Sequence, residues 1–191
     1  MHKYLPLENP IRSLVCILLL SFLLTDKAFS EAHDILLEDT NGKQHSLNEY
    51  IGKGKWVVVN VWATACPYCR AELEDLNNFH ARHHNNDAIV IGLTLEWPGF
   101  AYPDKDYLVN FALDYFIDYT LFLVDAELAS KVIGKQVNMI PITFFYNPEG
   151  KLVLRLNGVV TEAVLEEAIK NKSSSYREQW AKEIPPEFKP E

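Results

Sequence analysis

Apolar residues in this chain gather either in unbroken runs or in stripes spaced three and four apart, and the two patterns predict strands and helices in turn. Trp56 to Trp62 and Ala88 to Leu95 are apolar almost throughout and rich in β-branched residues, as expected of strands covered on both faces. Shorter stretches at 120–124, 142–145 and 151–156 predict three further strands. Leu73, Leu76 and Phe79 recur at helical spacing after Cys66 and predict a helix ending near His83, with Glu72, Glu74 and Asp75 turned elsewhere. Tyr107, Leu108, Phe111 and Tyr115 mark a second helix over 104–116, and residues 126–133 a short third stopped by Gly134. Val164, Leu165, Ala168 and Ile169 mark a last helix capped by Thr161.

Turn residues supply the joints. Asn41-Gly42 between the apolar segments 35–37 and 44–47 predicts an entry hairpin, and 48–51 a short turn of helix. Gly52-Lys-Gly-Lys55 breaks the chain before the first long strand, and Asn147-Pro-Glu-Gly150 turns it into a terminal hairpin. Pro141, immediately before an apolar strand, reads as an edge or strand start. His80, His83 and His84 crowd a helix end, where solvated capping is the expectation and a metal cluster the alternative. Tyr102, Tyr107, Tyr115, Phe116 and Tyr119 are assigned to packing rather than to a partner groove. Residues 172–191, with three serines and Pro185, Pro186 and Pro190, read as a tail.

The length suits one ordinary domain plus extras. Lys3 and Arg12, the apolar run 14–24 and Ala28-Phe29-Ser30 together read as an export signal that leaves a mature chain from Glu31. An uncleaved membrane anchor is the alternative, although the run is short for a full span. The mature chain has 15 Lys plus Arg against 24 Asp plus Glu, a net charge of −9 without long single-sign blocks. That balance argues against nucleic acid and against an anionic membrane surface as partners. Cys16 falls in the signal as a passive apolar residue, so the mature chain keeps two cysteines, in an oxidising compartment.

Those two, in Cys66-Pro67-Tyr68-Cys69, carry the candidate chemistry. They follow an apolar strand, at the carboxyl end where open α/β sheets place their sites. The free N–H groups and positive end of a helix would stabilise a thiolate at Cys66, with Cys69 one turn further in to resolve. Pro67 suits the first helical turn. A zinc site would need further Cys or His ligands at suitable spacing. A purely structural disulfide closing so short a loop would contribute little stability.

The stretch from Val57 through Cys66-Pro-Tyr-Cys69 to Glu72 resembles the active-site strand and helix of thioredoxin-superfamily proteins, closest to the exported TlpA, ResA and DsbE group. The likeness runs from the hairpin near residue 42 to a helix ending near 171. It implies an α/β thioredoxin-like fold: a central mixed sheet flanked by helices, with an N-terminal hairpin and a central TlpA-type insertion at 104–124. The domain would span 31–171, between a leader at 1–30 and the tail at 172–191. It also implies that Cys66 attacks and Cys69 resolves, and that an acidic residue at the end of the 88–95 strand assists proton transfer, which is Glu96. The buried Asp of thioredoxin corresponds to Asn60, which cannot titrate, so any acid must come from elsewhere. Pro141 is expected to be cis and to face the dithiol, with Ile140 before it docking a substrate segment; Pro67 and Tyr68 complete the substrate-binding set.

The implied activity is thiol:disulfide exchange with protein partners, with no cofactor beyond the Cys66–Cys69 disulfide and no resident metal. The group favours a reductant of exported proteins, such as apocytochrome c, recharged by a membrane electron donor. A disulfide-donating oxidant is the alternative, and Pro67-Tyr68 resembles glutaredoxin's pair, which suggests a potential above thioredoxin's. A Cu(I)-binding chaperone using the cysteines near Met139 is a different class. A peroxidase is disfavoured, since Thr64-Ala65-Cys66 resembles the peroxiredoxin Thr-x-x-Cys only loosely.

Overall fold

The computed structural model describes residues 34–95 and 105–170. The leader, Glu96, Tyr102 and the tail lie outside them. The chain enters through a hairpin, β1 (Leu37–Glu38) and β2 (Gln44–His45), whose turn is built by Asp39 and Gly42. The Asp39 carboxylate accepts the N–H groups of Asn41 and Lys43, both at 2.8 Å, and Gly42 takes a φ of 84° that a side chain would strain. A short 3-10 turn, Leu47–Glu49, follows.

Next come β3 (Trp56–Trp62), α1 (Pro67–Ala71), α2 (Leu73–His83), β4 (Ala88–Leu95), α3 (Lys105–Asp114), β5 (Thr120–Val124) and α4 (Ala126–Ile133). The chain closes with β6 (Ile142–Tyr146), β7 (Leu152–Asn157) and α5 (Glu162–Lys170). Five strands form one mixed sheet in the order β5-β4-β3-β6-β7, with β3, β4 and β5 parallel and β6 and β7 antiparallel to their neighbours. An Asp39–Phe122 bridge sets the hairpin against the β5 edge, which is thereby covered. All seven residues of β3 are buried, six of them apolar and one, Asn60, polar, as in a strand covered on both faces.

Side chains alternate across β3, so Asn60 and Trp62 share a face. On that face Asn60 meets the junction of α1 and α2, Trp62 meets Phe111 of α3 at 5.5 Å between rings, and His83 of α2 bonds Glu166 of α5. The other face carries α4, where the Tyr146 hydroxyl donates to the Ile133 carbonyl. Gly92 of β4 lies beside Asn60, and a Cβ there would come within 2.4 Å of Leu121 and 3.0 Å of Trp62 Nε1. Only glycine lets the indole and Leu121 close over the sheet at that point.

Three expectations need correction. The single helix after Cys66 is two helices, divided at Glu72, which is the C-cap of the first and the N-cap of the second with φ −99° and ψ −6°. Glu72 is fully buried and does not share the outward polar face with Glu74. The aromatics of the α3 region are not uniformly packed: Tyr119 is buried, but Tyr107 is half exposed and Phe116 is 84% exposed. Phe116 sits at a φ of 55°, where α3 ends with Ile117 N–H donating to the Ala112 carbonyl. That is the left-handed helix-stop position usually held by glycine. No helix among the described residues is long and apolar enough to cross a membrane.

Candidate redox site

β3 ends at Trp62, and a short turn through Ala63, Thr64 and Ala65 delivers Cys66 as the N-cap of α1. Cys66 keeps an extended backbone, and its sulfur accepts the Cys69 N–H at 3.2 Å. In the reduced protein that bond would favour a thiolate on Cys66. Pro67 opens the helix, where no N–H is needed. Cys66 and Cys69 are joined as a disulfide with Cα atoms 5.2 Å apart. Cys66 keeps 8% of its surface exposed, whereas Cys69 has none. Pro67 and Tyr68 between them are exposed.

Pro141 arrives at the same end of the sheet. β6 runs antiparallel to β3 with Ile142 opposite Val61, so the residue before it lies beside the turn that leads to Cys66. The Ile140–Pro141 bond is cis, Pro141 is buried and Ile140 is half-buried. The Pro141 carbonyl accepts the Gly158 N–H at 2.9 Å, which ties the β6 entrance to the loop between β7 and α5.

Behind the dithiol lies a buried polar cluster. Glu72, one turn beyond Cys69, places its N–H on the Cys69 carbonyl at 3.3 Å and turns its carboxylate into the core. Oε1 accepts from Asn60 Nδ2 and Oε2 from the Val160 N–H, each at 2.8 Å. Asn60 Nδ2 donates also to Thr143 Oγ1 at 3.1 Å, and Asn60, Thr143 and Glu72 are all fully buried. Burial pushes the Glu72 carboxyl up to about 7; the two hydrogen bonds oppose the rise, and the charge of Asp75 adds to it. Tyr119, wholly buried, is pushed well above the ordinary phenol range by burial and then by the charges of Glu72 and Asp118.

The sequence reading missed Glu72. It grouped the residue with its acidic neighbours, although Cys69, Glu72, Leu73, Leu76 and Phe79 continue one stripe at three- and four-residue spacing. An acid on that stripe was the available signal. Glu96, the expected acid, follows directly on β4 and lies outside the described residues.

The histidines at the end of α2 are structural rather than solvated caps. His80 is buried and its Nδ1 accepts the Val90 N–H at 3.0 Å; burial lowers its pKa. His83 lies between Asp87 at 2.7 Å and Glu166 at 2.8 Å, and these bonds outweigh partial burial to raise its pKa. His84 stacks on His80 and donates to its carbonyl. Among the described residues no group of three or more His, Cys, Asp or Glu side chains is placed to hold a metal ion.

Comparison with known proteins agrees with this geometry. The sequence model of the AhpC/TSA family matches residues 29–155. The thiol-disulfide oxidoreductase ResA of Bacillus subtilis is 31% identical over 138 residues, covering 71% of this chain and 70% of the relative. Among solved structures, a thiol:disulfide interchange protein of the thioredoxin family from Chlorobium tepidum superposes with a TM-score of 0.61 at 22% identity, over 71% of this chain and 90% of that one. A secreted thiol-disulfide isomerase from Corynebacterium glutamicum also gives 0.61 at 22% identity, over 72% and 82%. The fold is thioredoxin-like, with the mixed sheet flanked by helices that the sequence led us to expect.

Proposed function

The chain belongs to the AhpC/TSA family of the thioredoxin superfamily and is a thiol:disulfide oxidoreductase, and on that premise we propose that it acts outside the cytoplasm as a reductant of protein disulfides. The observation that carries the reading is the asymmetry of the cysteine pair. One sulfur caps a helix at the surface, and the other is buried one turn before a buried, proton-holding carboxylate.

In the proposed cycle a partner backbone docks beside Ile140 and Pro141, next to the exposed Pro67 and Tyr68. The Cys66 thiolate attacks one sulfur of the partner disulfide, forming a mixed disulfide and releasing the partner's other sulfur as a thiolate that takes up a proton. Glu72, ionised at that moment, accepts the proton of Cys69. The Cys69 thiolate attacks Cys66 and displaces the second partner sulfur, which is protonated in turn. The partner gains two electrons, and the Cys66–Cys69 disulfide holds the oxidising equivalent until a donor dithiol returns the electrons. A carboxyl with a pKa of about 7 can both take and give that proton near neutrality. Glu96 is the alternative proton carrier, and Glu96→Gln beside Glu72→Gln separates the two.

The N-terminal apolar segment supports an exported or periplasmic location, with attachment to the membrane if that segment is retained. A membrane electron donor and apocytochrome c thiols are the partners this role would serve. The test is the equilibrium potential of the Cys66/Cys69 pair in glutathione buffers. A value near thioredoxin's, about −270 mV, is expected of a reductant; one near −120 mV would make the protein a donor of disulfides.

A further inference from the structure

We propose that Thr143 is a positioning residue for Glu72, acting by holding the Asn60 amide with its N–H end toward the carboxylate. The inference rests on Glu72 being the proton carrier of the dithiol. Asn60 can present either end of its amide to Glu72. The N–H end stabilises the ionised carboxylate, and the carbonyl end stabilises the protonated acid. The two hydrogens on Nδ2 are both used, one on Glu72 Oε1 at 2.8 Å and one on Thr143 Oγ1 at 3.1 Å. Asn60 Oδ1, by contrast, is buried with no hydrogen-bond partner among the described residues.

The arrangement therefore satisfies the donor end at the expense of the acceptor end. Turning the amide over would lay Oδ1 against the Glu72 carboxylate oxygen that now accepts from Nδ2 at 2.8 Å, and would forfeit the hydrogen bond that stabilises the ion. Thr143 Oγ1 accepts the second N–H and so anchors the amide in this orientation, and Thr143 is fully buried. The residue also has a place in the chain that fits this role. It stands two positions after Pro141 on β6, opposite Asn60 of β3, and so joins the docking edge to the proton carrier.

The other groups facing Glu72 are few. Asp75 on α2 raises its proton affinity, the Val160 N–H lowers it, and Tyr119 ahead of β5 stays neutral. On α1 the two cysteines titrate only when reduced.

The experiment uses the oxidised protein, in which the cysteines do not titrate, and follows the Glu72 carboxyl carbon by NMR against pH. Wild type and Thr143→Ser should share one midpoint, since serine keeps the hydroxyl. Thr143→Val should move the midpoint up by about half a pH unit or more, the effect of losing one hydrogen bond that favours the ion. Thr143→Ala removes the same hydroxyl without adding bulk and serves should the valine variant not fold. A Val or Ala midpoint equal to wild type, or a Ser midpoint shifted as far as theirs, overturns the proposal. The premise is tested separately by alkylating the reduced protein with iodoacetamide against pH. Glu72→Gln should delete the limb near pH 7, and a retained limb would remove Glu72 from the exchange while the NMR result still reports on Thr143.

Discussion

Replacing Glu72 by glutamine should make the stability of the oxidised protein less sensitive to pH, shifting the balance toward the variant as pH rises from 4 to 8. The carboxyl is fully buried and its pKa stands at about 7 in the folded chain against an ordinary 4.5. The folded state thus binds this proton more tightly than the unfolded state, so the group's contribution is fully present below pH 4.5 and is lost as pH rises through 7. A rise of roughly 2.5 pH units at about 1.36 kcal/mol each makes the loss about 3 kcal/mol by pH 8. Glutamine shares the neutrality of the protonated acid: its Oε1 can accept the Val160 N–H, while its Nε2 faces Asn60 Nδ2 and leaves an amide hydrogen unbonded, a cost that does not change with pH. The assay is guanidinium unfolding of both oxidised proteins at a series of pH values, read as the difference between them. Titrations shared by both proteins, such as that of His83, cancel in that difference. A gap that moves by about 3 kcal/mol in favour of glutamine between pH 4 and pH 8 is expected. A gap independent of pH would refute the reasoning that burial, rather than the two hydrogen bonds, governs this carboxyl.

Two further substitutions test the packing around the site. Gly92→Ala should destabilise the protein by about 1–3 kcal/mol in thermal or chemical unfolding, because its methyl would meet Leu121 at 2.4 Å beside Trp62; unchanged stability would mean that this layer can shift. Phe116→Gly should stabilise by about 1 kcal/mol, since an 84% exposed ring has little burial to lose and glycine accepts the 55° φ without strain; a loss of stability would show that the ring packs.

The strands were legible because a strand covered on both faces is apolar almost throughout. β3 and β4 accordingly begin and end where their apolar runs do, at Trp56–Trp62 and Ala88–Leu95. The entry hairpin was legible from Asn41-Gly42, and the helix stop at Gly134 from a residue able to adopt its 67° φ. The cysteine pair and Pro141 were visible through motif and resemblance, and the register of β3 with β6 then brought them to one end of the sheet. Glu72 escaped because charge suggests water, whereas here the two donors that surround the carboxylate come from Asn60, twelve residues earlier, and Val160, 88 residues later. His80 escaped for the same reason: the N–H it accepts belongs to β4. Phe116 could not be read from periodicity, because the helix stop that turns it outward is a matter of backbone hydrogen bonds and not of side-chain spacing.

The central claim is that Cys66 attacks and Cys69 resolves, and trapping tests it directly. Each single serine variant, Cys66→Ser and Cys69→Ser, would be reduced, mixed with a disulfide-bonded model protein and examined by intact mass. The account predicts a stable mixed disulfide through Cys66 in the Cys69→Ser protein and none in the Cys66→Ser protein, whose remaining sulfur is fully buried. Accumulation of the adduct through Cys69 instead would contradict it.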